Sequence, residues 1–394
     1  MHQATASPLI GQVLESIIRI VRGEVGAVFA LDDAGALHGV VEWGLREDVA
    51  RQIVLRTGEP LLEKAMAEGT LLMIPEARGP GGCLLPAGLG EIRSLVCLPL
   101  SAGEAVLGAA LVVNANLDHI LSDDEIDLLN TSARLMAAQL DNERLQRAAF
   151  ERQRLEDQLE LAARIQRQLL PLRTPALPGF LLAGINTPCE CVGGDYFDYI
   201  AGPDGSLLVT IGDATHHGLG PALLMSTARA FLRALVRTRS APATLLAELN
   251  NLLAEDMADD TFMTMLLARL RPGRNTVEFA NAGHDPLILL RRDGELIELP
   301  ASGPPLGILP NAAFPAGQVE LKPGDVLAFT TDGAWEAING SGEMLGRDRL
   351  RQVVRANAWR RPEEIIGAIR HGLDAHLDGC KCQDDVTLVV VKKE

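Results

Sequence analysis

The sequence predicts a mixed α/β (α+β) chain in three parts: an N-terminal domain, a helical stalk and a C-terminal catalytic half. Three observations carry that expectation. Short apolar runs closed by Gly, Asp or Pro recur in both halves and read as strands. Segments with apolar residues at helical spacing alternate with them. Between the halves, Asp141–Leu170 contains no Gly or Pro and stops at Pro171.

Bulk properties narrow the function. A length of 394 residues suggests two or three domains, and 47% apolar residues suffice for proper cores. A formal charge of −16 argues against nucleic acid or an anionic membrane as main partner, since both attract basic surfaces. No apolar run approaches a membrane span, and the first residues lack a signal-peptide pattern, so a cytoplasmic location is expected. Six cysteines in so long a chain do not make a disulfide framework.

In the first part, Ser7-Pro8 precedes Leu9, Val13, Ile17 and Ile20 at helical spacing, with Ser7 as a plausible N-cap. Val25–Ala30, the turn Asp32-Asp33-Ala34-Gly35 and Leu37–Glu42 read as a hairpin. Ser94–Leu100 and Val106–Val113 bracket the Gly103 turn as a second strand pair. Ser122-Asp-Asp-Glu125 is a capping box opening a helix with Ile126, Leu129, Ala133, Met136, Ala137 and Leu140 on one face. Arg93–Leu100, the Gly108-containing strand and the Leu121–Leu140 helix together resemble a GAF domain, assigned here to residues 1–142. The resemblance implies a sensor fold that takes an unidentified small molecule or mediates dimerisation. Cys97 lies in an apolar strand pattern and reads as core rather than as a chromophore attachment site. Gly79–Gly90, with its five glycines and two prolines, reads as a mobile loop.

Residues 143–172 form the stalk. Ala148, Leu155, Ala162 and Leu169 recur at sevens, which suits a two-chain parallel coil and hence a homodimer. An amphipathic helix packed on its own domain has the same pattern. Leu161–Pro171 also resembles the helix that precedes the catalytic domain in bacterial stress- and sporulation-type phosphatases.

In the C-terminal part, residues 173–394, four aspartate sites stand in short Gly-rich or strand-edge settings. They are Asp195 after Gly193-Gly194, Asp213 after Ile211-Gly212, Asp332 before Gly333, and the pair Asp384-Asp385 before Val386. An Asp beside a Gly is by itself a common turn pair. Four such sites in one half of one chain point instead to carboxylates converging at strand ends, which suits a hard divalent cation such as Mg2+ or Mn2+.

These sites belong to an ordered series: Val192–Asp198, Ile211-Gly-Asp213 with His217-Gly218, Phe262-Met-Thr264 and Ala280–His284. It continues through Pro304–Gly307, Pro323–Asp325, Thr330–Gly333 and Asp384–Thr387. The series resembles the SpoIIE/RsbU-type Ser/Thr phosphatases, a branch of the metal-dependent PPM family. The resemblance implies two central antiparallel sheets flanked by helices, with two ions in the cleft between them. It implies that Asp213 bridges the ions with the Ala214 carbonyl beside it. Asp195 would complete one ion, and Asp332 with Asp384 the other, with Asp385 the secondary candidate of its pair. The ions would acidify a bridging water for in-line attack on phosphorus, and His217 would protonate the leaving serine or threonine oxygen.

The chain departs from the family at one point. Where the family has a glycine two residues before the last glycine of its loop, this chain has His216 in Asp213-Ala-Thr-His-His-Gly218. If that position requires positive φ, His is among the more tolerant replacements. His284 reads as a structural residue near the cleft, satisfied by local hydrogen bonds. Cys189-Glu-Cys191 and Cys380-Lys-Cys382 flank the aspartate sites and suggest a thiol cluster, either zinc-binding or redox-active. Unrelated small residues are the other reading, because one intervening residue is shorter than usual zinc spacing.

The expectation is a metal-dependent protein Ser/Thr phosphatase acting on a phosphorylated anti-anti-sigma (STAS) protein in partner switching, regulated by the GAF domain through the stalk. A catalytically inactive scaffold of the same fold and a different metal phosphohydrolase are the alternatives.

Overall fold

The computed structural model describes residues 8–32, 37–43, 71–75, 94–103, 105–113, 121–216, 218–239, 241–257 and 261–394. The chain divides into two compact units, residues 1–154 and 155–394.

The first unit contains α1 (Pro8–Ile20), β1 (Val25–Leu31), β2 (Leu37–Trp43), β3 (Leu72–Pro75), β4 (Ser94–Ala102), β5 (Ala105–Val113) and the start of α2 (Asp123–Leu169), of which β3 has no counterpart in the sequence expectation. The strands form one antiparallel sheet in the order β2-β1-β5-β4-β3. Ile10, Leu14, Ile17 and Ile18 of α1 fall on one face and join Leu129, Ala133, Met136, Ala137 and Leu140 of α2 in a single apolar core. The capping box forms as the sequence predicts: the Ser122 N–H donates to Glu125 Oε2 (2.8 Å) and the Glu125 N–H to Ser122 Oγ (3.3 Å). Cys97 is buried in β4, as core. The Gly79–Gly90 loop and the tip of the β1–β2 hairpin lie outside the described residues.

The last helix of the first part and the stalk are one element. Helix α2 is unbroken over 47 residues, about 70 Å, because nothing between Asp123 and Leu169 interrupts its hydrogen bonds.

The second unit continues with β6 (Phe180–Thr187), β7 (Tyr196–Ala201), β8 (Leu207–Ala214), α3 (Leu219–Leu235), α4 (Pro242–Asp256), β9 (Met263–Leu270), β10 (Thr276–Ala282) and β11 (Leu287–Leu290). It closes with β12 (Leu296–Leu299), β13 (Gly317–Glu320), β14 (Val326–Thr330), α5 (Gly333–Glu336), α6 (Arg347–Asn357), α7 (Pro362–Leu377) and β15 (Val386–Lys393). Two five-stranded antiparallel sheets result, ordered β13-β10-β9-β8-β7 and β12-β11-β14-β15-β6.

Side-chain alternation along the strands builds the layers. Leu287, Leu289, Leu327, Phe329, Val389 and Val391 face Phe197, Tyr199, Val209, Ile211 and Phe279 in the core between the sheets. The opposite face of the first sheet packs against α3 and α4 through Met225, Leu232, Leu245 and Leu249. That of the second packs against α6 and α7 through Leu350, Val354, Ile365 and Ile369. The outcome is an α/β/β/α sandwich whose strand ends carry the acidic residues.

Candidate metal centre

Each sheet delivers two of the aspartates. In the first, Tyr196 of β7 pairs with Gly212 of β8, so Asp195, one residue earlier, comes beside Asp213. In the second, Thr330 at the end of β14 pairs with Leu388 of β15. That register brings Asp332, the N-cap residue of α5, near Asp384, which precedes β15.

Glycines make the approach possible. A side-chain carbon on Gly194 would stand 2.7 Å from the Ala214 carbonyl oxygen. One on Gly193 would run into the Asp385 carboxylate, and one on Gly333 into the Asp385 carbonyl. Val192-Gly-Gly-Asp195 therefore has two glycines for steric reasons: the chain there touches both β8 and the segment before β15.

The acids act on one another. Burial, then Asp332, Asp384 and Asp385, push the Asp213 carboxyl up to about 8, while a side-chain hydrogen bond with Asp195 pulls the other way. Asp195 is 2% exposed, and burial followed by the Asp213 charge raises it well above the usual carboxylate range. Two hydroxyls oppose that rise. Thr387 Oγ1 donates to Asp195 Oδ2 at 2.6 Å, and Thr331 Oγ1 donates to the same oxygen at 2.8 Å.

Asp385 has a different occupation. Its Oδ1 accepts the Cys189 N–H (2.8 Å) and its Oδ2 accepts the Asp195 N–H (3.4 Å), so it clamps the backbone on both sides of the Gly-Gly turn. Asp384 Oδ1 accepts the Asp385 N–H at 2.7 Å.

The donor set fits a hard divalent cation in kind: oxygen-only, anionic, and drawn together at adjoining strand ends. As they stand, no three Asp, Glu, His or Cys side chains among the described residues are gathered closely enough to enclose an ion. The electrostatic evidence is the more telling for the aspartates, because carboxylates that raise one another's proton affinity are within mutual reach. For the cysteines there is no such evidence. Cys191 and Cys380 are exposed, Cys189 and Cys382 are partly buried, and all four are free thiols, so the zinc reading of the Cys-x-Cys pairs finds no support.

His284 is buried, and among the described residues no hydrogen bond satisfies its Nε2, against the expectation of full local satisfaction. Its N–H donates to Asn281 Oδ1 (2.8 Å), its Nδ1 lies 2.8 Å from Thr264 Oγ1, and Thr264 Oγ1 donates in turn to the Asp213 carbonyl (3.4 Å). Burial depresses the imidazole to about 4 against the pull of Asp332 and the Thr330 carbonyl, so it is neutral at pH 7. His216 adopts φ +70°, the left-handed conformation that the family's glycine would supply, and its side chain is exposed. His217 lies outside the described residues.

One contact was not legible in the sequence. Gln166, near the end of α2, uses both ends of its amide on a single residue: Nε2 donates to the Gly193 carbonyl (2.6 Å) and the Gly193 N–H donates to Oε1 (3.1 Å). Beside it, Ala162 and Ala163 pack against Val192 and Ala222. Ala162, one of the heptad positions, is thus engaged within its own unit, where a small side chain lets the helix approach the turn.

Comparison with known proteins agrees with this architecture. The family model for Stage II sporulation protein E (SpoIIE) matches residues 203–394, and that for the GAF domain matches residues 4–141. Protein IcfG of Synechocystis is 27% identical over 74% of this chain, and the match spans 50% of IcfG's own length. Phosphoserine phosphatase RsbU of Bacillus subtilis is 26% identical over 61% of the chain and 72% of RsbU. Among solved structures, the SiaA-PP2C domain of Pseudomonas aeruginosa superposes with a TM-score of 0.56 at 25% identity, covering 62% of this chain and 99% of that domain.

Proposed function

From a chain that joins a GAF domain to a SpoIIE-type PPM phosphatase domain, we propose that this protein is a metal-dependent protein Ser/Thr phosphatase. The observation that carries the reading is the pairing of aspartates from two sheets, with Asp213 pushed up to about 8 by burial and then by Asp332, Asp384 and Asp385. A buried group of mutually repelling carboxylates costs stability, and cation binding is the chemistry that offsets the cost.

Asp195, Asp213, Asp332 and Asp384, with the Ala214 carbonyl, would hold the ions. Asp385 is better suited to its clamp, since both of its oxygens already serve backbone N–H groups. Bound Mn2+ or Mg2+ would supply the Lewis acidity that activates water and neutralises phosphoryl charge. The chain's own contribution is to hold that group: Gly193 and Gly194 admit the close approach, Asp385 fixes the turn, and Thr264 on the next strand, in contact with His284 Nδ1, donates to the Asp213 carbonyl. His217 is the proposed donor of a proton to the departing serine or threonine oxygen.

The proposed substrate is a phosphorylated STAS-type anti-anti-sigma protein, by likeness to RsbU, whose name is phosphoserine phosphatase. We assign residues 1–142 to the sensor, 143–172 to the stalk and 173–394 to the phosphatase, acting as a cytoplasmic homodimer. Leu155 of the heptad set is exposed on α2, which leaves it available to a helix-mediated pair. No helix among the described residues is long and apolar enough to cross a membrane. GAF control would reach the site through the Gln166–Gly193 contact, which joins the end of α2 to the turn before Asp195.

The test is Mn2+-dependent phosphate release from a phosphoserine-bearing STAS protein by the full chain and by Asp213→Asn. Release lost in the variant supports the reading. Equal release from both proteins, or none from wild type with any phosphoprotein while nucleotide phosphodiesters are cleaved, overturns it.

A further inference from the structure

Three polar residues form a directional hydrogen-bond network behind Asp195, outside the set of aspartates. Asn186 Nδ2 donates to Thr387 Oγ1 at 2.9 Å. The Thr387 N–H donates to Thr331 Oγ1, also at 2.9 Å. Each threonine oxygen thereby accepts one N–H, which leaves its single hydroxyl hydrogen to be donated elsewhere. The shorter contact of each hydroxyl is with the same atom, Asp195 Oδ2, at 2.6 Å for Thr387 and 2.8 Å for Thr331; the Asp385 carbonyl is a longer second acceptor for Thr331, at 3.4 Å. The Thr331 N–H donates in turn to the Thr387 carbonyl (3.1 Å), which locks the two threonines to each other.

The network spans the sandwich. Asn186 ends β6, Thr387 lies in β15 and Thr331 follows β14, all in one sheet, whereas Asp195 enters β7 of the other. Thr331, Thr387 and Asp195 are almost wholly buried, so the donors have no competing water. Two donors converging on one oxygen fix the carboxylate's rotation, and Oδ1 is the oxygen the threonines do not hold.

We propose that Thr331 and Thr387, backed by Asn186, are positioning residues that fix the Asp195 carboxylate for divalent-cation binding without themselves touching the ion. The inference rests on the metal-dependent reading above. It deepens that reading by making ion affinity depend on hydroxyl groups one bond removed from the acids. Partners of this kind, behind a ligand, typically change affinity by about 10- to 100-fold when removed.

Isosteric substitution separates the hydroxyl from its packing. Thr387→Val keeps the shape and loses the donor; Thr387→Ser keeps the donor and loses a methyl. Mn2+ binding to the full chain, read from the electron paramagnetic resonance signal of free Mn2+, is compared across wild type, both variants and Thr331→Val, with thermal melting recorded in parallel. The expected result is at least tenfold weaker binding in Thr387→Val and Thr331→Val, and binding within about threefold of wild type in Thr387→Ser. Asn186→Ala, at a half-buried site, should weaken binding in the same direction by less, and it serves if a valine variant does not fold. Wild-type affinity in both valine variants and in Asn186→Ala overturns the inference alone, as does weakening that follows the lost methyl in serine instead. Absence of Mn2+ binding by folded wild type overturns the metal-dependent reading and this inference with it.

Discussion

Replacing Asp213 by Asn should make the chelator-treated protein more stable while removing its activity. The reasoning starts from the carboxyl's high proton affinity, about 8 in the folded chain against 3.8 ordinarily, caused by burial and then by Asp332, Asp384 and Asp385. Between these values the folded state holds a proton that the unfolded chain has released, so stability falls as pH rises. His284 has the opposite sign, because its folded value near 4 lies below the ordinary 6.5. Its influence is confined to pH below about 6.5, where the unfolded chain begins to protonate it. The clean window is therefore pH 6.5 to 8. A full proton corresponds to about 1.4 kcal/mol per pH unit, and the progressive loss near the upper limit brings the decline across this window to roughly 1.5 kcal/mol. Asp195 and Asp213 titrate as a pair, so this figure belongs to the pair. The assay is urea unfolding in EDTA followed by tryptophan fluorescence, since Trp335 and Trp359 both lie in the C-terminal unit. Wild type should lose stability from pH 6.5 to 8, Asp213→Asn should show a flatter profile, and Mn2+ should stabilise wild type more at pH 8 because it competes with the proton. An unchanged slope in the variant, or a wild-type profile that rises with pH, would refute the argument.

Three further outcomes follow from the same geometry. Below pH 6.5, His284→Asn should remove an acid-side loss that approaches ~3 kcal/mol by pH 4, measured as the difference between the two acid-unfolding curves; parallel curves would count against a buried neutral imidazole. Gly193→Ala should place a methyl against the Asp385 carboxylate, cost about 1–3 kcal/mol in urea unfolding and weaken Mn2+ binding, whereas wild-type behaviour in both assays would mean the turn is not tightly packed. Gln166→Ala should lower phosphate release at saturating Mn2+ with an unchanged melting point of the N-terminal unit; full activity would remove α2 from the path of control.

The sequence was most legible where a local rule applied. The capping box at Ser122, the strand pair around Gly103 and the four aspartate sites are written within a few residues each. The positive φ expected at His216 was legible for the same reason, as a single-position backbone requirement. What stayed hidden depends on residues far apart in the chain. Thr331 and Thr387 are 56 residues apart, and Thr387 is 192 from Asp195, so no spacing reveals that both hydroxyls meet one oxygen. Gln166 stands in a helix already rich in Gln, Arg and Glu, and only the docked turn distinguishes it from its solvated neighbours. Asp384 and Asp385 are adjacent and chemically alike, and it takes the N–H groups of Cys189 and Asp195 to separate their duties. For the Cys-x-Cys pairs, which the sequence left between a thiol cluster and unrelated small residues, the described residues show free thiols and no metal-holding group.

Because the acids come in pairs from two sheets, the stack of side chains between those sheets acts as the spacer of a calliper. The rings of Phe197 and Tyr199 stand edge to face at 5.8 Å, and the two side chains reach β6 at Gly184, where even a methyl carbon would lie 2.6 Å from the Phe197 ring and 2.6 Å from the Tyr199 hydroxyl. The thickness of that apolar layer sets the opening of the jaws at the strand ends, since close-packed interiors transmit strain rather than absorb it. On the proposed metal-dependent reading, residues of that layer that never touch the aspartates would share in choosing which ion is held. Among relatives with the same four acids, a tuning of ionic radius would be sought first in the volumes of the layer beneath them.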